Sequence, residues 1–296
     1  MRCLQFSKDT LITGSADKSI KIWGLKDDGT CTERDTLHDN KWIRCLRFDA
    51  PSSTLVTTGM DSTQAKVWDL TTNTVSYVLD VHRGWITCLQ LNMPRLVTGS
   101  LDGTIRVWDA STGHNQPYRV VHSGHDSLRS LWSSGDLVMS AGLERNLQLW
   151  DLRVASPTTK PVMTIEGTPH GNYCVQFDTY SHTVCSGSNG VIALADLRIP
   201  SHTPSLLRGH TDVVSCLQFA DKKLVTGSMD RTVRVWDLNT HLCASTLHGH
   251  ESWVWDLQFD PDKIITASSD KVVKLWAFTH QSYDKGSTSS SAAIIM

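Results

Sequence analysis

One pattern returns seven times along the chain, and its period limits the fold more tightly than any other feature. LVTGSMDRTVRVWDL, residues 224–238, is the clearest copy, and the others are LITGSADKSIKIWGL, LVTTGMDSTQAKVWDL, LVTGSLDGTIRVWDA, LVMSAGLERNLQLWDL, TVCSGSNGVIALADL and IITASSDKVVKLWAF. Their anchor positions, Trp23, Trp68, Trp108, Trp150, Ala195, Trp236 and Trp276, stand 45, 40, 42, 45, 41 and 40 residues apart. That is the period at which four short strands make one blade of a propeller. Within a copy, LVT is β-rich, GSMDR is turn chemistry and TVRVW alternates with period two. A further strand such as VVSCLQF precedes each copy and a weaker one such as HLCASTLHGH follows it, which gives four strands per repeat.

The cysteines obey the same period. Cys3, Cys45, Cys88, Cys174 and Cys216 sit in RCLQF, RCLRF, TCLQL, YCVQF and SCLQF, and no CxxC pair occurs among the eight cysteines. Spread evenly around a repeat array, they would not converge on a metal, so each is expected as a small apolar core residue. No metal site or cofactor is expected. With 28 basic against 30 acidic residues the chain lacks the basic field of a nucleic-acid binder, and no stretch has the length of a membrane span. MRCLQFSKDT has neither the apolar run nor the cleavage site of a secretory signal. A cytoplasmic or nuclear protein that contacts neither nucleic acid nor membrane is expected.

The GH…WD segments make the chain resemble the WD-repeat family from residue 1 to about residue 278. The resemblance implies an all-β, seven-bladed propeller. It also implies that a His, a Ser or Thr, an Asp and the Trp of each copy form a hydrogen-bonded tetrad. Those would be His82, Thr98, Asp102 and Trp108; His210, Thr226, Asp230 and Trp236; and His250, Thr266, Asp270 and Trp276. A catalytic triad needs to occur once, where substrate binds; a set that returns in blade after blade belongs to the scaffold. The fourth copy has Ser140, Glu144 and Trp150 with His125 displaced by one residue. The fifth has Cys185, Asn189 and Ala195, and its network is expected to be lost.

After VVKLWAF, the segment THQSYDKGSTSSS shows no alternation, so the last blade is expected to lack its outer strand. The propeller is assigned to residues 1–278 and a flexible, Ser-rich tail to residues 279–296. Met1 already stands at the start of an inner strand, which leaves no preceding segment to close the ring. The alternatives are that AAIIM folds back, that the edge stays open, or that the chain is part of a longer one; the edge liability favours the last.

Loops at a propeller's channel mouth are the place to look for a partner site. Trp42, Trp85 and Trp253 fall three residues before the repeat's Cys position, while Arg2, Arg44, Arg129 and Trp255 fall one before it. Arg2 alternates with Leu4 and Phe6, so its head must reach water or an anion at the strand's end. Trp and Arg are also the residue types enriched at binding hot spots. MRCLQF, WIRCLRF and SLRSLW are similar to the inner strands of the F-box WD-repeat receptors of ubiquitin ligases, which line a phosphopeptide site. In this chain Ala16 occupies a position where some members carry Arg, and no F-box is found in the chain. Trp150, Asp151 and Arg153 in WDLR, with Arg198 in ADLR, are similar to the boxes that dock receptors on the cullin-4 adaptor. The expected function is therefore protein or peptide binding without catalysis. Substrate recognition, phosphorylated motifs included, for a cullin-type ubiquitin ligase of the F-box kind leads, and the alternatives are a general assembly or signalling scaffold or a cullin-4 ligase receptor docking through WDLR.

Overall fold

Short alternating strands separated by Gly, Asp and Asn turns leave no room for helices, and none occurs among the described residues. The structure is a computed structural model describing residues 1–26, 30–80, 82–125, 127–154, 160–199 and 203–278, and the strand 292–295. The first sheet holds β1 (Cys3–Ser7), β2 (Thr10–Gly14), β3 (Ser19–Leu25) and β4 (Cys31–His38). The second holds β5 (Ile43–Asp49), β6 (Thr54–Gly59), β7 (Gln64–Asp69) and β8 (Thr74–Asp80). The third holds β9 (Ile86–Asn92), β10 (Arg95–Ser100), β11 (Thr104–Asp109) and β12 (Arg119–His122). The fourth holds β13 (Leu128–Ser134), β14 (Leu137–Gly142), β15 (Asn146–Asp151) and β16 (Met163–Glu166).

A seven-stranded sheet follows, made of β17 (Cys174–Asp178), β18 (Thr183–Gly187), β19 (Asn189–Asp196), β20 (Ser205–Ala220), β21 (Lys223–Ser228), β22 (Val233–Asp237) and β23 (Leu242–Leu247). Its sixteen-residue β20 does two jobs: Ser205 to Arg208 pair with β19, and Val214 to Ala220 pair with β21. The last sheet holds β24 (Val254–Phe259), β25 (Lys263–Ser268), β26 (Val273–Ala277) and β27 (Ala292–Ile295). All pairings are antiparallel and follow chain order.

The strands β1, β5, β9, β13, β17, β20 and β24 lie side by side, and β24 returns to β1, so the sheets form a closed ring around a channel. The apolar core is divided among the seams of that ring. Leu4, Phe6, Leu11 and Trp23 pack on Ile265, Ala267, Val273 and Leu275 of the last sheet, and a comparable cluster fills each further seam. Close approach at the seams needs the Gly of each GS pair. A Cβ on Gly227 would stand 2.7 Å from both Cys216 Sγ and Val254 Cγ1.

The C-terminal expectation is corrected. The outer place in the last sheet is filled by β27, in register from Val273↔Ile295 to Trp276↔Ala292. The unpaired edge of β26 is the physical reason, since its backbone groups gain partners while the entropy of closing the intervening loop grows only slowly with length. The sheet thus extends beyond residue 278, and residues 279–291 of the expected tail lie outside the described residues.

Candidate interaction site at the channel mouth

Two systems of side-chain hydrogen bonds hold the strands that carry the mouth. The first is the tetrad. Trp236 Nε1–H donates to Thr226 Oγ1 at 2.9 Å, the threonine hydroxyl is 2.8 Å from His210 Nε2, and His210 Nδ1 is 2.7 Å from Asp230 Oδ2. The same carboxylate accepts Thr211 N–H at 3.0 Å and Thr232 N–H at 2.9 Å, tying the loop before the inner strand to the turn beyond it. Sets with the same partners join His82, Thr98, Asp102 and Trp108, and His250, Thr266, Asp270 and Trp276. Burial pushes the His82 and His250 imidazoles below their ordinary value, against the opposing pull of Asp102 and Asp270. Hydrogen bonds from His82 and Thr104 hold Asp102 well below the usual carboxylate range despite its partial burial.

The fourth copy completes the network by a different route. His125 Nδ1 lies 2.7 Å from Glu144 Oε2, its Nε2 is 3.1 Å from Ser140 Oγ, and Trp150 Nε1–H donates to Ser140 at 2.9 Å. The extra methylene of Glu spans the one-residue displacement of the His. In the fifth copy the hydroxyl position is Ser186, not Cys185, because Ala195 pairs with Val184 as Trp236 pairs with Leu224. Cys185 points to the opposite face and is fully buried. With Ala195 unable to donate, Ser186 Oγ is buried without a partner.

The second system was not singled out in the sequence. Gln258 Nε2–H donates to Phe6 O at 3.0 Å while its Oε1 accepts Phe6 N–H at 2.6 Å, joining β24 to β1. Gln5 does the same to Phe48, Gln176 to Phe219 and Gln218 to Phe259. The Gln column departs at two places. Arg47 donates to Gln90 Oε1 at 3.3 Å, and Trp132 meets Phe177 edge-on with centroids 5.2 Å apart.

Inside this frame the channel encloses about 760 Å³, lined by Arg2, Arg44, Arg129, Trp42, Trp253 and Trp255 among others. Six of the seven side chains expected at the mouth are therefore brought together; Trp85 stands outside the lining. Trp42 and Trp253 are about half exposed, at 50 % and 48 %. Their carbonyls accept Met60 N–H at 2.6 Å and Ser269 N–H at 2.9 Å, so the backbone that presents each ring is fixed by its own sheet. Trp255 Nε1–H donates to Ser269 Oγ at 2.5 Å, and the ring meets Trp253 edge-on with centroids 5.7 Å apart. The Arg2 guanidinium lies 4.1 Å above the Trp255 ring. Burial, and then the charge of Arg44, pushes the Arg2 guanidinium below its ordinary value. Arg44 Nε–H donates to Thr87 O at 3.3 Å, and Arg129 Nε is buried with no partner.

Two charged lining residues escaped the sequence reading, Arg47 and Asp256. Asp256 occupies the repeat's Cys position in β24, and its Oδ2 accepts Leu4 N–H at 2.9 Å. Burial raises its carboxyl, with Arg47 opposing. The aligned Cys column carried the signal, because Asp256 is its one acidic member.

The WDLR residues are arranged otherwise. Trp150 is buried, and Arg153 folds back on Asp151 with Nε–H···Oδ1 3.0 Å and Nη2–H···Oδ2 2.7 Å. Arg198 repeats the fork on Asp196 at 2.9 and 2.6 Å.

The WD40 family, described as WD domain, G-beta repeat, matches residues 1–24, 29–69, 73–109, 200–237 and 242–277, more than half of the chain. The chain belongs to the WD40 family. Among curated proteins, this WD40 propeller is similar to mitochondrial division protein 1 of Mycosarcoma maydis, 29% identical over 206 residues, which are 69% of this chain and 22% of that protein. It is also similar to mitochondrial division protein 1 of Pyricularia oryzae, 30% identical over 69% of this chain and 23% of that protein. With the Saccharomyces cerevisiae protein of the same name the identity is 28%, over 69% of this chain and 28% of the relative. The chain thus spans roughly a quarter of the length of these relatives. Among solved structures, the computationally designed Ika8 protein superposes with a TM-score of 0.71 at 25% identity, over 94% of this chain and 96% of the other.

Proposed function

We propose that this WD40 propeller is a non-catalytic, intracellular assembly scaffold that docks a protein partner on its channel mouth. We count its ring as seven blades, taking the seven-stranded sheet as two that share β20. The observation that carries the docking site is the pair of half-exposed rings, Trp42 and Trp253, held at the rim of the cavity by backbone bonds of their own sheets. Large aromatics left in water at the entry to rigid strands are what an interface core uses, since little conformational freedom is lost when a partner covers them.

The relatives' names support the scaffold reading over a ligase receptor. The F-box reading rests on the motif match at Arg2, Arg44 and Arg129, and comes second. Docking on a cullin-4 adaptor has little support, because Arg153 and Arg198 are each engaged by an aspartate two residues earlier. The test is affinity capture with quantitative mass spectrometry, comparing the parent chain with Trp42→Ala/Trp253→Ala. Partners lost from the double variant while its melting temperature is unchanged are the expected result. An identical partner set would move the docking surface to the sides of the ring.

A further inference from the structure

Four guanidinium groups line the channel, those of Arg2, Arg44, Arg47 and Arg129. None of the four is ion-paired among the described residues. Elsewhere Arg34, Arg95, Arg145, Arg153 and Arg198 each find a carboxylate, while Arg83, Arg106, Arg119, Arg208, Arg231 and Arg234 find none among the described residues. What sets the channel apart is that four such cations share one cavity in a chain whose net charge is -2. The one carboxylate in the lining, Asp256, is engaged by the backbone N–H groups of Leu4 and Leu257 at 2.9 and 3.0 Å.

Like charges gathered in a partly buried cavity repel one another and lose hydration, so an arrangement of this kind is held at a cost unless an anion compensates it. The protein's own hydrogen bonds leave much of the donor capacity unused. Arg44 gives Nε–H to Thr87 O and Nη1–H to Met60 Sδ at 3.4 Å, Arg47 gives Nε–H to Gln90 and Nη1–H to Leu46 O at 2.8 Å, and Arg2 lies over the Trp255 ring. Arg129 makes no hydrogen bond through its buried Nε. Guanidinium forks match phosphate oxygens, and a cleft lined by one sign of charge concentrates the opposite ion.

We propose that the channel binds a free, small, multiply charged anion of the polyphosphate class, held by Arg2, Arg44, Arg47 and Arg129 below the tryptophan rim. The cavity, about 760 Å³, is in the range of small-molecule sites. The bound anion would neutralise the channel from within. This goes beyond protein docking and stands apart from it, since the tryptophans carry the docking site and the arginines carry this one.

The probe is inorganic tripolyphosphate, titrated calorimetrically into the full chain at low salt. One anion per chain is expected, with affinity falling as salt rises. Arg44→Gln and Arg129→Gln should each weaken binding about tenfold, a difference of about 1.4 kcal/mol. Arg153→Gln, on the exposed Asp151 fork, should leave it unchanged. Arg129→Gln should melt no lower than the parent, because it removes a charge whose Nε has no partner, so lost binding cannot be blamed on lost folding. No saturable heat, or equal weakening by Arg153→Gln, would overturn the proposal. A doubly phosphorylated peptide that binds more tightly than tripolyphosphate at the same arginines would also overturn it, by assigning the site to a docked chain.

Discussion

At the scale of single residues, the tetrad is a relay in which each group has one correct protonation state. The indole N–H donates to the hydroxyl, the hydroxyl to an unprotonated imidazole Nε2, and Nδ1–H to the carboxylate, so the network needs neutral His and ionised Asp. Thr226→Val keeps the shape but leaves the buried Trp236 N–H without an acceptor, at about 1–3 kcal/mol. A fall in melting temperature of about 2–4 °C per kcal/mol checks it. The pH dependence has a definite sign. His82 and His250 have folded values below those of the unfolded chain, so their contribution is complete above about pH 6.5 and is lost as pH falls below it. The depressed carboxylates of Asp102, Asp230 and Asp270 contribute above their unfolded value near 4, and that contribution disappears at lower pH. Melting temperature should therefore drop in two stages on acidification; a flat profile from pH 7.5 to 5 would refute the neutral-imidazole relay.

At the scale of strands, what could be read in the sequence was whatever local chemistry repeats at constant spacing. The Trp anchors, the tetrads and the inner-strand arginines all qualify. The fifth copy was misread by one residue because Ser186 and Ala195 are nine apart where Thr226 and Trp236 are ten, a shortened turn that counting back from the anchor cannot detect. Counting from the Gly187-Ser188 pair finds it. The glutamine column stood in plain view as CLQF, CVQF, SCLQF and DLQF, but its meaning depends on a neighbour in the next sheet, some forty residues away or, for Gln258, at the other end of the chain. The strand β27, the fold-back of AAIIM, was an alternative that the sequence did not favour, for a different reason. Four residues carry too little periodicity to announce a strand, and only an unsatisfied edge elsewhere in the fold gives them a place.

At the scale of the whole molecule, the ring is tied unevenly. Two-way amide clamps join β17 to β20, β20 to β24, β24 to β1 and β1 to β5, a continuous arc that includes the junction between the first and last sheets. Across the rest of the ring, Arg47 and Trp132 replace the glutamine. Gln258→Leu leaves Phe6 N–H and C=O without partners where the ring joins, so it should cost more stability than Gln90→Leu, whose amide donates one bond to Leu131 O at 2.9 Å. Hydrogen exchange resolved along the chain is the measurement. Faster exchange in Gln258→Leu should be concentrated in β1 and β24, and uniform acceleration would show that the clamp has no local role.

The ammonium of Met1 donates to Ser268 O at 3.0 Å, one residue from the serine that holds Trp255, while β27 lies on the outermost edge of the same sheet. The two ends of the chain therefore have opposite uses for anyone who attaches something to this ring. A reporter or surface tether joined at Met1 would emerge beside the channel opening and obstruct it, whereas one joined after Ile295 would hang from the perimeter and leave the opening clear.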